Sequence, residues 1–232
     1  MRYAIYYSPE HKSPLEQCGS AWLSRDAFTG QTLPPIHIGP ITHERFLQLT
    51  TEPRRYGFHG TLKPPFALQP SFNLSDLSTA LADFARKTAP FLIDGLAVTT
   101  IGRFLALTPA TPSAQLSELA ANCVREFDHM RAIQSQADIE RRRQAGLSPA
   151  QDRYLLDWGY PYIFEFFRFH MTLSNKLEDG NEAKALHQAA TQHFSAHINQ
   201  PHKIETLVLA CEEERGKPFK IISTFALEGQ TK

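Results

Sequence analysis

Apolar and polar positions divide the chain into short strands and amphipathic helices, and the division repeats. Residues 57–68 alternate as a strand. A helix follows over 76–88, capped by Ser75, with Leu77, Leu81, Phe84 and Ala85 on one face. "FLIDGLAVTTIGRFLALTP" then reads as two strands around a turn. The order returns further on. "FHMTLSNKL" is a strand, 182–198 is a helix with Leu186, Ala189, Ala190 and Phe194 on one face, and "KIETLVLACEEERGKPFKIISTFAL" is a hairpin turning at "EERGKP". Strand, helix and hairpin occurring twice mark an internal duplication.

The other segments fit around this frame. "RYAIYYSP" is a strand by its alternation and aromatic content, and short helices lie near 15–25 and 43–50. Residues 113–159 are helical almost throughout, with Ser148-Pro149 as cap and first-turn pair for a helix that runs to Trp158 before the breaker "GYPY". The expected organisation is a single domain over 1–232. Its first repeat covers 57–109, a helical bridge 113–159, and its second repeat 162–228. No Pro- or Gly-rich linker separates the repeats, so they are expected to pack together.

Each repeat opens on the same pentapeptide, "FHGTL" at 58–62 and "FHMTL" at 169–173. Side chains alternate along a strand, so His59, Thr61 and Lys63 share one face, joined by Arg55 and Gly57 if the strand reaches that far back. In the second copy Arg168, His170, Thr172, Ser174 and Lys176 share a face, with Phe167, Phe169, Met171 and Leu173 opposite. Copies related by a pseudo-twofold axis would turn these polar stripes toward each other across a cleft. Thr hydroxyls and His N–H groups donate to phosphate oxygens, and nearby cations hold the charge without a metal. Two histidines flanking a phosphorus atom can divide the work, one neutral and accepting a proton, the other protonated and giving one. That set of groups suits in-line displacement at a phosphodiester, above all a compact cyclic one.

Charge narrows the partners. Lys plus Arg and Asp plus Glu both total 24, so no global basic field attracts duplex nucleic acid or anionic lipid, and any affinity for phosphate is local. The N-terminus turns polar after seven residues, too soon for the apolar centre of a signal peptide, and no apolar run approaches the roughly 20 residues of a membrane helix. A cytoplasmic protein with no membrane partner is expected. Cys18, Cys123 and Cys211 are far apart without a C-x-x-C pair, which reads as buried free thiols.

His59-Gly60-Thr61-Leu62 and His170-Met171-Thr172-Leu173 resemble the paired H-x-[ST]-x motifs of the two-histidine (2H) phosphoesterase superfamily, which includes the 2'-5' RNA ligase-like proteins and cyclic phosphodiesterases. The flanks "RRYGFHGTLKPPF" and "LLDWGYPYIFEFFRFHMTL" are similar to a branch often encoded with phosphonate-utilisation genes. The resemblance covers essentially the whole chain. It implies an α+β, two-lobed, pseudo-symmetric duplicated fold, each lobe a mostly antiparallel sheet with outer helices, around a central cleft. It implies that His59 and His170 are the acid and base, that Thr61 and Thr172 hold phosphate, and that no cofactor is needed. Lys63, Arg55 and Arg168 are the candidates for further substrate contacts.

The expected activity is metal-independent hydrolysis of a small cyclic phosphate ester, a 2',3'-cyclic nucleotide or a ribosyl cyclic phosphate, the latter resting on the resemblance alone. RNA-end processing or ligation in the same cleft is the second enzyme reading, with RNA ends as partner. A phosphate-metabolite binding protein without turnover is the third. No obligate protein partner is implied. Elsewhere the plain readings apply: Arg141-Arg142-Arg143 as a wet helix face, Glu212-Glu213-Glu214 as the surface of a hairpin tip, and His193 and His197 as four-apart residues lacking a third metal ligand. Phe164, Phe166 and Tyr6 or Tyr7 could stack on a base or ribose, though core packing is the commoner use.

Overall fold

A computed structural model describes residues 1–230. Its architecture mixes helices with antiparallel sheet. Strand β1 (Arg2–Tyr7) is followed by helices α1 (Pro14–Trp22), α2 (His43–Leu49) and α3 (Thr51–Tyr56). The first repeat is β2 (Gly60–Phe66), α4 (Leu74–Lys87), β3 (Phe91–Ile93), β4 (Leu96–Ile101) and β5 (Phe104–Pro109). Helices α5 (Ala114–Phe127), α6 (Gln136–Arg143) and α7 (Pro149–Trp158) lead to the second repeat: β6 (Met171–Thr172), α8 (Gly180–His193), β7 (His202–Ile204), β8 (Thr206–Glu212) and β9 (Lys220–Ala226).

The element order therefore recurs, with one short strand more than the sequence pattern showed in each half. The seven-stranded sheet runs β4-β5-β6-β2-β1-β8-β9, and β3 pairs with β7 in a sheet of their own. Its strands are exchanged between the halves. The β4–β5 hairpin of the first repeat joins β6 of the second, through Ala106↔Thr172 and Leu107↔Met171. The β8–β9 hairpin of the second repeat joins β1, which joins β2 of the first. Where the repeats meet directly, Gly60 faces Met171 and Leu92 faces Lys203, and in both pairs the partner lies 111 positions later. Antiparallel pairing of equivalent residues is what a local twofold axis produces.

Burial follows the alternation of β1. Tyr3, Ile5 and Tyr7 enter the main core with Leu62, Leu77, Leu81, Leu107 and Leu186, beneath the helices. Ala4 and Tyr6 point to the opposite face and pack with Val208, Ala210, Phe219 and Ile221. Helix starts are fixed by caps: Asn73 and Asp76 form a reciprocal capping box on α4, so that helix begins before Ser75. Asp179 caps α8, and Ser148 with Pro149 opens α7, which ends at Gly159 in the left-handed conformation.

Candidate active site

The two pentapeptides meet at the centre of the sheet. Because Gly60 lies opposite Met171 in an antiparallel ladder, continuing that register by one residue each way sets His59 toward Thr172 and Thr61 toward His170. Each half thus sets its histidine against the hydroxyl of the other. A cavity of about 510 Å³ is lined by Thr61 and His170, and an open cleft of about 520 Å³ by His59 and Thr172. Phe104 borders both and lies 5.7 Å from the His170 ring. No apolar or charge pattern in the sequence marked Phe104, because its position depends on the exchanged hairpin.

The approach to each histidine is different, but the outcome is the same. Helix α3 ends at Gly57, whose φ of 82° and whose close approach to the Cβ of Ala27 call for glycine. The turn aims the Gly57 carbonyl at Nδ1 of His59, 2.8 Å away. In the second copy Nδ1 of His170 lies 2.6 Å from the Arg168 carbonyl. A carbonyl only accepts, so Nδ1 carries the proton in both rings and donates it. Each neutral ring then presents Nε2 as a lone pair. The Thr61 hydroxyl, 3.1 Å away, donates to Nε2 of His59.

Electrostatics separate the pair. Burial draws His59 down from its ordinary value to about 4; the Gly57 carbonyl opposes this and His170 adds to it. Burial also lowers His170, opposed by the Arg168 carbonyl. Tyr6 supports His59 from the sheet, its ring 3.9 Å from the imidazole, and Tyr56 approaches to 6.0 Å. Tyr7 points into the main core instead, where its hydroxyl meets Nε2 of His202 at 2.6 Å.

The cationic candidates part company. Arg168 is exposed on the rim of the cavity beside His170. Arg55 does not extend a strand. It sits on α3, and its guanidinium bonds Glu212 at 3.0 Å and the Tyr56 hydroxyl at 2.6 Å. Lys63 leaves the stripe because β2 slips register between its pairings Tyr6↔Thr61 and Ile5↔Lys63. That bulge turns Lys63 to the side of Ile5. There it is 2% exposed, with Nζ 3.2 Å from both the Val124 carbonyl and Asp128. Ser174 borders the open cleft with its hydroxyl already engaged, accepting from the Leu105 N–H and donating to the Asn175 carbonyl. Glu212, read from sequence as surface, is fully buried between Arg2 and Arg55.

Aromatic side chains wall the cavity on the His170 side. Tyr160, Tyr162, Phe164 and Phe166 all line it, the last two from a 3-10 turn over Phe164–Phe166. Phe164 has a φ of 53°, unusual for a bulky residue. Among the described residues no helix is long and apolar enough to cross a membrane.

A family model described as "Protein of unknown function (DUF1045)" matches residues 61–220. The chain is 38% identical over 232 residues to the ribose 1,5-bisphosphate phosphokinase PhnN of Janthinobacterium sp. (strain Marseille), covering 99% of this chain and 51% of that protein. It is 34% identical over 221 residues to the protein of that name from Laribacter hongkongensis (strain HLHK9), covering 95% and 50%. The chain thus spans about half the length of the curated relatives it matches. Among solved structures it is similar to TT0787 of Thermus thermophilus, at TM-score 0.47 and 15% identity over 100% of both chains. It is also similar to E. coli LigT complexed with 3'-AMP, at TM-score 0.44 and 14% identity over 97% of both.

Proposed function

The chain belongs to the DUF1045 family, and on that premise we propose that it is a metal-independent phosphodiesterase that opens a small cyclic phosphate ester, with His59 and His170 as base and acid. The observation that carries the reading is the antiparallel Gly60–Met171 pair, whose register sets His59 toward Thr172 and Thr61 toward His170. A phosphate seated there meets two hydroxyl donors and two imidazoles from opposite sides.

The roles follow from the rings. His59 is held neutral with its Nε2 accepting from Thr61; once that hydroxyl turns to the phosphate, Nε2 takes a proton from water as the water oxygen bonds to phosphorus. The ring P–O bond breaks as His170 in its protonated form delivers a proton to the departing sugar oxygen. Water is added across one P–O bond and a phosphomonoester remains. Exchange of protons with solvent resets both rings. Thr61 and Thr172 donate to the non-bridging oxygens as charge grows on them, and Arg168 supplies a cation at the rim. An incoming phosphate raises the proton affinity of both imidazoles, His170 starting from the less buried ring. Phosphorylated ribose, named in the relatives' activity, supports a ribosyl cyclic phosphate as the substrate class.

The test is hydrolysis of 2',3'-cyclic mononucleotides and a ribose 1,2-cyclic phosphate by the purified chain in EDTA, with the released monoester measured. Turnover removed by His59→Ala and by His170→Ala is expected. The proposal fails if none of these esters is opened while the chain moves a phosphoryl group from ATP to ribose 1,5-bisphosphate.

A further inference from the structure

A second cavity, of about 270 Å³, is walled by Arg2, Lys63, Arg131, Arg141, Arg142 and Arg215, with Asp138 as its one acidic wall residue. In a chain of zero formal net charge this concentration is local. Three carboxylates answer these six cations. Glu212 pairs with Arg2, and is shared with Arg55. Asp128 holds both Lys63 and Arg131, and Asp138 holds both Arg141 and Arg215. Arg142 has no carboxylate at ion-pair distance among the described residues. Its guanidinium lies instead over the Tyr160 ring, 4.8 Å from the centroid.

Tyr160 and Pro64 join this cavity to the site of the two histidines. Both line the cavity that contains Thr61 and His170; Pro64 also lines the basic cavity, and Tyr160 carries Arg142 on its face. From Thr61 to Pro64 is three residues of strand, about 10 Å. The two cavities therefore lie within reach of one small molecule. An excess of guanidinium groups over carboxylates in a concave wall favours a dianion with several oxygens, and their planar forks match phosphate better than they match a point charge. Such a wall would also draw the anion in before it docks.

We propose that the arginine cavity is a second phosphate subsite: the substrate is a sugar that carries a phosphomonoester besides the ester that is opened. Arg142 is its central contact, with Arg141 and Arg215 beside it. This deepens the function proposed above and rests on it for the identity of the first subsite. A single small molecule is favoured over RNA because six cations gather around one cavity in a chain of zero formal net charge.

Binding separates the two ideas. On the His59→Ala protein, the dissociation constant of adenosine 2',3'-cyclic phosphate is compared with that of its 5'-phosphorylated form at low and high salt. The added phosphate is expected to tighten binding about 10- to 100-fold at low salt, less at high salt. The preference should fall toward unity in Arg142→Gln and Arg215→Gln and return in part in Arg142→Lys, with circular dichroism checking that each variant is folded. Equal affinity for the two ligands, or a preference kept by the Arg142→Gln, Arg215→Gln double variant, overturns the subsite. Tighter binding of a cyclic-ended trinucleotide than of the 5'-phosphorylated mononucleotide overturns it in favour of RNA. Turnover by the wild-type chain reports on the other question: binding preference without hydrolysis of either ligand defeats the proposed activity and leaves the subsite standing.

Discussion

The ring of Tyr6 lies 3.9 Å from the imidazole of His59, while the Tyr6 hydroxyl is buried without a hydrogen-bond partner among the described residues. The ring packs against the His59 imidazole; the hydroxyl is a cost. Tyr6→Phe keeps the first and removes the second, so it is expected to raise stability by about 1 kcal/mol with turnover retained. Tyr6→Ala leaves a cavity in the second core and should lose about 3 to 5 kcal/mol. Urea unfolding of both variants checks this, and a Tyr6→Phe protein clearly less stable than wild type would show that the hydroxyl has a partner after all.

His59→Ala and His170→Ala are each expected to lose about 10² to 10⁴ in rate, the usual worth of one acid or base. Their double variant should lose much less than the product of the two if they serve one step as the proposed acid and base. Steady-state rates on a cyclic ester decide between this and independent contributions.

The depressed His59 predicts a direction for acid sensitivity. Its folded value near 4 lies below the ordinary value of about 6.5 for an unfolded chain. Between those limits the unfolded state binds a proton that the folded state refuses. The stabilising contribution is therefore complete above about pH 6.5 and is lost as pH falls toward 4, at up to about 1.4 kcal/mol per pH unit. His170, His193 and His202, all lowered by burial, act in the same direction. Denaturation midpoints measured from pH 7 to 4 should fall less steeply in His59→Gln; identical slopes would contradict the assignment.

Gly60 leaves no room for a side chain. A Cβ there would meet the Phe169 ring at 2.5 Å, and Phe169 is packed in the main core just before His170. Gly60→Ala is expected to cost about 1 to 3 kcal/mol through overpacking and to lower turnover by shifting one motif against the other. Gly102→Ala makes a useful comparison: its added Cβ meets nothing within 4 Å, and its effect should come from backbone conformation alone, with activity unchanged.

Much of this arrangement is legible in the sequence because it is periodic. Alternation marks β1 and β2, capping residues and apolar faces mark the helices, and the twin pentapeptides mark the meeting point. What escaped depends on pairing. Lys63 keeps step with His59 and Thr61 on paper, and only the slip of β2 against β1 turns it toward Asp128. The stretch after His170 alternates like a long strand, yet only Met171 and Thr172 stay in the ladder; Asn175 and Leu177 give their N–H groups to the carbonyls of Leu49 and Arg103. Three successive glutamates read as a wet tip, but Glu212 lies opposite Arg2 in the β1–β8 ladder and is enclosed there. Arg142, within a run that reads as solvated, is captured by an aromatic ring from another segment. None of these partners is a near neighbour in sequence.

The exchange of hairpins between the repeats has a consequence for how the chain can be divided. Cutting it in the exposed turn around Gly146, between α6 and α7, would release an N-terminal fragment whose β5 has lost β6 and a C-terminal fragment whose β8 has lost β1. Each piece would carry a naked strand edge shaped to receive the other. Expressed together, such pieces should find one another and rebuild the cleft between them; expressed singly, they are candidates for self-association through the same open edges.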